Sequence, residues 1–266
     1  MQDLKINLVQ ADLIWEQPEK NLQNFDQKLS GLRGQQHLVV LPEMFNTGFT
    51  MNGKDFAEEP GGKAFQWMKT KSAELDCVIT GSILCKENGE YYNRLVWMRP
   101  DGSYEIYNKR HLFRFGNEHQ HFVPGTSKLI VEINGWHVCP LICYDLRFPV
   151  WAKNTYREGH FEYDLLLYVA NWPERRKHHW KALLQARAIE NLSYTAGLNR
   201  IGTDGIGTTH SGNSIVFSPR GELIIEAPEH KEENTIVTLS AKELLDYRER
   251  FNVGLDWDEF RIGGIS

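Results

Sequence analysis

"HVCPLICYDLRFP", residues 137–149, runs an apolar segment into a short charged turn and then a proline. The apolar half reads as a buried strand. Pro149 suits the first turn of a following helix, "PVWAKNTYREG", with Gly159 as its terminator. Strand, sharp turn and helix together form the layout of a nucleophile elbow, which exposes the side chain at the turn. Cys139 lies inside the apolar run and reads as a small core hydrophobe. Cys143 ends the run, so two readings stand side by side: a core cysteine, or a thiol placed to react. In the second, the backbone N–H of Tyr144 faces a developing oxyanion.

Outward from this stretch, similar strand patterns recur. They include "LKINLVQ" (4–10), "HLVVLPE" (37–43), "CVITGSIL" (77–84), "SYEIYNK" (103–109), "DLLLYVAN" (164–171) and "NTIVTLS" (234–240). Turn signals such as Asn134-Gly135 and Pro219-Arg220-Gly221 separate several of them. Helical faces intervene. Leu22, Phe25, Leu29 and Leu32 follow Pro18, and Phe65, Met68 and Leu75 mark a second helix. Trp180, Leu183, Leu184, Ile189 and Leu192 mark a third, and Ser240 three residues before Glu243 predicts a capped start for a fourth. The order predicts mixed sheets covered by helices, an α/β layered fold. No repeat or linker divides it, so residues 1–266 read as a single domain. Residues 240–266 read as a helix and a tail engaged in packing or dimerisation.

A formal charge of -5 and a pI near 6.1 exclude a concentrated basic surface, so neither nucleic acid nor an anionic membrane is an expected partner. No basic region precedes an apolar run of about 7–15 residues at the start, and no apolar run reaches the roughly 18 residues of a membrane helix. Four cysteines do not make a disulfide framework at this length. A reduced, cytoplasmic protein is the expectation.

A thiol with a pKa of about 8.5 needs a base or a cation beside it. None of the ten histidines has a compelling context. "EHQH" (118–121) offers two imidazoles for a metal, but no Cys/His set at zinc spacing accompanies it. Two other strand ends are more informative, because Glu43 follows "HLVVLP" and Lys109 closes "YEIYN". Each alone reads as a solvated boundary residue. Together with Cys143 they form a chemical set. Glu43 can take the thiol proton and return it to a leaving amine. Lys109 can favour the thiolate and hold an oxyanion together with the Tyr144 N–H. The set suits attack on an amide carbonyl, completed by water.

These blocks resemble the nitrilase (carbon–nitrogen hydrolase) superfamily. "LPEMFNTGF" is similar to its glutamate block, "YNKRHLF" to its lysine block and "LICYDLRFP" to its cysteine block; "ANWPERRKHHWKALLQARAIEN" and "GLNRIGTDG" follow in the family's order. The resemblance spans about residues 4–255. It implies Glu43 as general base, Lys109 as oxyanion-stabilising cation, Cys143 as nucleophile, and Glu118 as a second glutamate orienting Lys109 and the substrate amide. It further implies a four-layer α-β-β-α sandwich, commonly a homodimer or higher homo-oligomer, with no metal or organic cofactor.

"PEMFNTGFTM", "HLFRFGNEH" and "NWPERR" most resemble the ω-amidase branch, which acts on 2-oxoglutaramate and 2-oxosuccinamate. A small anionic substrate needs a clamp, and arginine suits a carboxylate. Arg114, Arg175 and Arg176 are the candidates, with Phe45, Phe115 and Trp172 as pocket walls. Another small amide, a nitrile or an N-carbamoyl amine fits the same chemistry, and a non-catalytic protein on the same fold is a further alternative. The chain departs from the branch at "THSGNS" (209–214), where a Tyr-Ser-Gly-Asp-Ser-like string is more usual. His210 and Asn213 occupy the changed positions, so His210 is either a specificity residue or a structural replacement.

Overall fold

Burial along the first strand already places a layer on each of its faces. In β1 (Leu4–Gln10), Leu4, Ile6 and Leu8 join one apolar cluster and Val9 joins another, as the two-residue period of a strand requires. β2 (Leu38–Val40) repeats the pattern, with Val39 facing the Val9 side. Strands covered on both faces read as continuous apolar runs, which explains the unbroken "LVVL". The computed structural model describes residues 1–263.

The Val9 side is covered by α1 (Pro18–Lys28) and α3 (Lys63–Leu75); the single turn α2 (Gly53–Phe56) lies between them in the chain, its Phe56 packed against a separate small cluster of Met44, Leu84, Leu112 and Phe122. Phe25, Phe65, Met68 and Leu75 fill that layer. β3 (Val78–Glu87), β4 (Glu90–Met98) and β5 (Tyr104–Asn108) complete the first sheet from within this part of the chain. After the short α4 (Glu118–His121), the second sheet opens with β6 (Val131–Ile133) and β7 (Trp136–Ile142). Next come α5 (Pro149–Ala152), the small hairpin β8 (Tyr156–Arg157) and β9 (His160–Phe161), β10 (Leu165–Ala170), α6 (Lys177–Asn191) and β11 (Tyr194–Asn199). A hairpin of β12 (Ile201–Thr203) and β13 (Thr209–Ser211) precedes β14 (Ile215–Phe217) and β15 (Leu223–Glu226). The chain then returns to the first sheet with β16 (Glu233–Leu239) and ends in α7 (Ala241–Arg250) and a tail.

The sheets run β16-β1-β2-β3-β4-β5 and β15-β14-β11-β10-β7-β6. Their inner faces share one cluster, in which Ile6, Leu8 and Trp97 from the first sheet meet Val138, Leu165 and Leu167 from the second. Trp180 and Leu184 of α6 pack on the far side of the second sheet in the same cluster. The result is the four-layer α-β-β-α arrangement. β16 pairs with β1 from Leu4↔Leu239 to Gln10↔Glu233, so the last strand closes against the first and one domain results.

Three local details sharpen the sequence reading. The helix after Pro149 stops at Ala152 rather than at Gly159. Buried Asn154 draws the chain away, its N–H donating to Asn191 Oδ1 at 2.9 Å and its Nδ2 to the Tyr163 carbonyl at 2.9 Å; Gly159 instead turns the β8–β9 hairpin at φ 83°. Ile189 is half exposed, so it leaves the buried face of α6. Ser240 caps α7 as its spacing predicts, its Oγ accepting from the Glu243 N–H at 3.3 Å. Positions 264–266 of the expected C-terminal tail lie outside the described residues. No helix among the described residues is long and apolar enough to cross a membrane.

Candidate active site

Four strand ends meet at one edge of the sandwich. β2 runs parallel to β3, and β5 regains that direction after two antiparallel turns. β7 and β10 run parallel in the other sheet. Glu43 follows β2, Lys109 follows β5, Cys143 follows β7 and Asn171 follows β10. Open parallel sheets collect functional groups at such carboxyl ends, because the chain leaves the ladder there and its side chains become free to converge.

The convergence is a buried ion cluster. Lys109 Nζ donates to Glu43 Oε1 at 2.8 Å and to Glu118 Oε2 at 2.9 Å, and all three side chains are wholly buried. Burial alone disfavours the Lys109 ammonium, but the charges of Glu118 and Glu43 outweigh it and hold the group well above an ordinary lysine. Burial raises the Glu118 carboxyl, with Lys109 pulling it down and Glu43 adding to the rise. Asn93 Nδ2 bridges the two carboxylates, at 2.9 Å from Glu43 and 3.0 Å from Glu118. Asn171 holds the other Glu43 oxygen through its backbone N–H at 2.9 Å, and its Nδ2 donates to the Glu43 carbonyl at 2.6 Å. The Phe113 N–H donates to Glu118 Oε2 at 2.6 Å. Every carboxylate oxygen is engaged, so the cluster is fixed in place.

Cys143 stands against this cluster with φ 42°, a left-handed conformation that costs about 1–3 kcal/mol for a residue with a side chain. Burial pushes its thiol well up, the Glu43 charge adds to this, and Lys109 only partly opposes it. Of the two carboxylates, Glu43 acts on the sulfur more strongly than Glu118. Lys109 does pull the thiol towards thiolate, as expected, but not enough to offset burial and Glu43. With two carboxylates already on the ammonium, too little positive field remains, and the resting group is a neutral thiol beside a base.

The turn is held by a residue the sequence reading passed over. Buried Asp145 accepts from the Ile142 N–H at 3.1 Å and from Tyr107 Oη at 2.8 Å through one oxygen. Through the other it accepts from the His111 N–H at 2.9 Å and meets His111 Nδ1 at 2.8 Å. Tyr107 and His111 flank Lys109, so one carboxylate ties the lysine segment to the cysteine turn. Trp151 Nε1 adds a bond to Tyr107 Oη at 3.0 Å.

A cavity of about 380 Å³ opens onto Cys143, Lys109 and Tyr144. Trp172, Arg175, Arg176, Phe115 and His210 also line it. Phe115 stands 88% exposed at its mouth. Phe45 and Arg114 lie elsewhere. Phe45 points into the helix-covered core, 5.8 Å from both Phe25 and Trp67, and Arg114 borders a separate depression with Arg110 and His119. Arg147, which the sequence reading did not nominate, lines the cavity instead. His210 is buried, and burial with the nearby Arg200 charge pushes its imidazole down to about 4, so the ring is neutral near pH 7. "EHQH" places Glu118 on Lys109 rather than in a metal set. Among the described residues, the cluster with metal-like spacing is Glu174, Glu229 and His230 at the surface, where Glu229 already pairs with Lys177 at 2.8 Å. The polar signals missed were Asn93, a break in the apolar run "YYNRLVWM", and Asn171 at the end of "LLLYVAN".

Comparison with known proteins agrees with this geometry. An omega-amidase, YafV, from Escherichia coli (strain K12) is 44% identical over 98% of this chain and 100% of its own. A 2-oxoglutaramate amidase from Bacillus subtilis (strain 168) is 30% identical over 83% of this chain and 85% of its own. The crystal structure of XC1258 from Xanthomonas campestris, a CN-hydrolase superfamily protein with an arsenic adduct in the active site, superposes with a TM-score of 0.97 at 43% identity, covering 99% of this chain and 100% of that one. The family model for carbon-nitrogen hydrolases matches residues 5–249, nearly the whole sandwich from β1 into α7, and the chain belongs to that family.

Proposed function

We propose that this protein is an ω-amidase, hydrolysing the terminal amide of a small 2-oxo dicarboxylic acid monoamide, such as 2-oxoglutaramate or 2-oxosuccinamate, to the 2-oxo dicarboxylate and ammonia. The observation that carries the reading is the buried Glu43–Lys109–Glu118 cluster set against Cys143 in a cavity that also presents arginines. The likeness to the omega-amidase and the 2-oxoglutaramate amidase supports the substrate class.

In the first half-reaction Cys143 Sγ attacks the amide carbonyl carbon while Glu43 takes the thiol proton. The carbonyl oxygen gains the electron pair and is held by Lys109 Nζ and the Tyr144 N–H; one preorganised donor of this kind contributes roughly 10²–10³ in rate. The C–N bond then breaks, Glu43 gives its proton to the nitrogen, and ammonia leaves behind a thioester. In the second half-reaction Glu43 takes a proton from water as the oxygen attacks the thioester. The C–S bond breaks, the proton returns to sulfur, and the acid is released. Glu118 keeps Lys109 aimed at the oxyanion throughout. Because the thiol is neutral at rest, the attack is base-assisted, with Glu43 as the acceptor of its proton. Arg147, Arg175 and Arg176 supply the positive field for the substrate carboxylate, with no acidic partner within ion-pair distance among the described residues. Incubation with 2-oxoglutaramate and measurement of ammonia tests the reading. Turnover by the wild type that vanishes in Cys143→Ala is expected; an inactive wild type, or an active Cys143→Ala variant, refutes it.

A further inference from the structure

The arginines near the cavity are held very differently. Arg114 is outside it. Arg175 is exposed, and Arg176 lies 5.5 Å over the Phe113 ring, its side chain making no hydrogen bond among the described residues. Arg147 is different on three counts. It closes the turn that begins at Cys143 (Cys143–Arg147), so its position follows that of the nucleophile. Its guanidinium lies 4.8 Å over the ring of Trp172, a side chain itself fixed by an Nε1 bond to the Arg176 carbonyl at 2.9 Å. Its Nη2 is 3.0 Å from His179 Nδ1. A guanidinium has donors only, so His179 Nδ1 is the acceptor and the ring proton sits on Nε2. Burial, with the charges of His178, Arg147 and Arg176, holds the His179 imidazole below its ordinary value, in keeping with that neutral tautomer. No carboxylate pairs with Arg147 among the described residues, which leaves the rest of its donor fork for a ligand.

We propose that Arg147, aimed by His179 and Trp172, is the residue that recognises the substrate carboxylate, and that His179 acts as its positioning residue. This rests on the amidase reading above and names the subsite within it. The donor fork suits a planar carboxylate, and the tether to the Cys143 turn fixes the distance between the anionic end of the substrate and the carbon under attack. Arg175 and Arg176 add charge at the rim without fixing that distance. Selectivity for acids over neutral amides is then a property of one arginine, and its sharpness depends on a histidine.

The test compares glutaric acid monoamide with its methyl ester, which differ in the carboxylate charge, by ammonia release from the intact protein, with 2-oxoglutaramate assayed in parallel. The wild type is expected to prefer the acid. Arg147→Gln should lower the acid-over-ester ratio of kcat/KM by about 10- to 100-fold, as loss of a charge-assisted hydrogen bond implies, mainly through KM for the acid. Arg147→Lys should fall between, having charge without the fork. His179→Leu should lower the ratio about 5-fold, and His179→Asn, which keeps an acceptor near the Nδ1 position, should restore most of it. A destabilised variant loses both substrates together and keeps the ratio, so an unchanged ratio in an Arg147→Gln protein whose urea unfolding matches the wild type overturns the proposal. Failure of His179→Asn to recover what His179→Leu loses overturns the role of His179. A wild type that turns over the glutaric monoamide with acid preference but not 2-oxoglutaramate refutes the proposed substrate and leaves the Arg147 assignment standing.

Discussion

Replacing Glu118 by Gln separates thiol reactivity from catalysis. Glu118 approaches Lys109 Nζ to 2.9 and 3.1 Å through its two oxygens. A unit charge about 3 Å away interacts by ~5 kcal/mol at an effective dielectric near 20, and much of this offsets the desolvation of the buried ammonium. The amide introduced by Glu118→Gln is isosteric but neutral, so Lys109 would retain only Glu43 as a formal partner. The Glu118 charge also raises the Cys143 thiol; its removal lets the Lys109 field act on sulfur and lowers the thiol pKa. More of the sulfur is then thiolate at a fixed pH below the pKa. Alkylation of Glu118→Gln by iodoacetamide at pH 7 should therefore be several-fold faster than in the wild type. Amide turnover should move the other way. A lysine that has lost one charged hydrogen-bond partner, worth about 1.5–3 kcal/mol, is less firmly aimed at the oxyanion, so kcat/KM should fall by about 10- to 100-fold. A faster thiol in a slower enzyme is the signature of base-assisted attack. If alkylation slows, or if turnover rises with thiol reactivity, then Cys143 works as a preformed thiolate and the reasoning fails.

The remaining cysteines give a cleaner count: Cys77, Cys85 and Cys139 are buried and none lines the cavity that Cys143 opens onto. Mass spectrometry of the native protein after limited alkylation should find one modified site, Cys143. Asp145→Ala removes the acceptor shared by Ile142, Tyr107 and His111, and loss of such a buried charged node should lower stability by about 3 kcal/mol in urea unfolding. His210 sets a pH signature: its folded value of about 4 lies below the ordinary histidine value of 6.5, so the unfolded chain binds the extra proton first. Its contribution is complete above pH 6.5, shrinks as pH falls towards 4 and is absent below that, an effect on the order of 3 kcal/mol. His210→Gln should flatten the stability profile between pH 6.5 and 4, and an unaltered slope there would exclude His210 as the titrating group.

What the sequence makes legible here is the set of strand ends. A charged or nucleophilic residue that closes an apolar run can be picked out without knowing its neighbours, and Glu43, Lys109 and Cys143 all meet that description. The partners that fix them cannot be found in this way. Asn93 is 50 residues from Glu43 and Asn171 is 128 residues from it, and each looks like an ordinary polar break until two sheets bring it to a carboxylate. Nearness in sequence also misleads. Phe45 is two residues from Glu43 yet faces the other core, while Arg114 sits beside the Glu118 segment but outside the cavity, and Arg147 enters it because the tight turn carries it there. The same turn separates the two cysteines of "HVCPLICYDLRFP". Residues four apart in a strand share a face, so strand periodicity alone would give Cys139 and Cys143 the same surroundings. Cys139 keeps to the strand and is packed in the core. Cys143, the first residue after β7, borders the same core, but its positive φ breaks the alternation and its thiol reaches the cavity that Lys109 also lines. The decisive information is therefore a single backbone conformation, held by the Asp145 node, which neither composition nor hydrophobic spacing records.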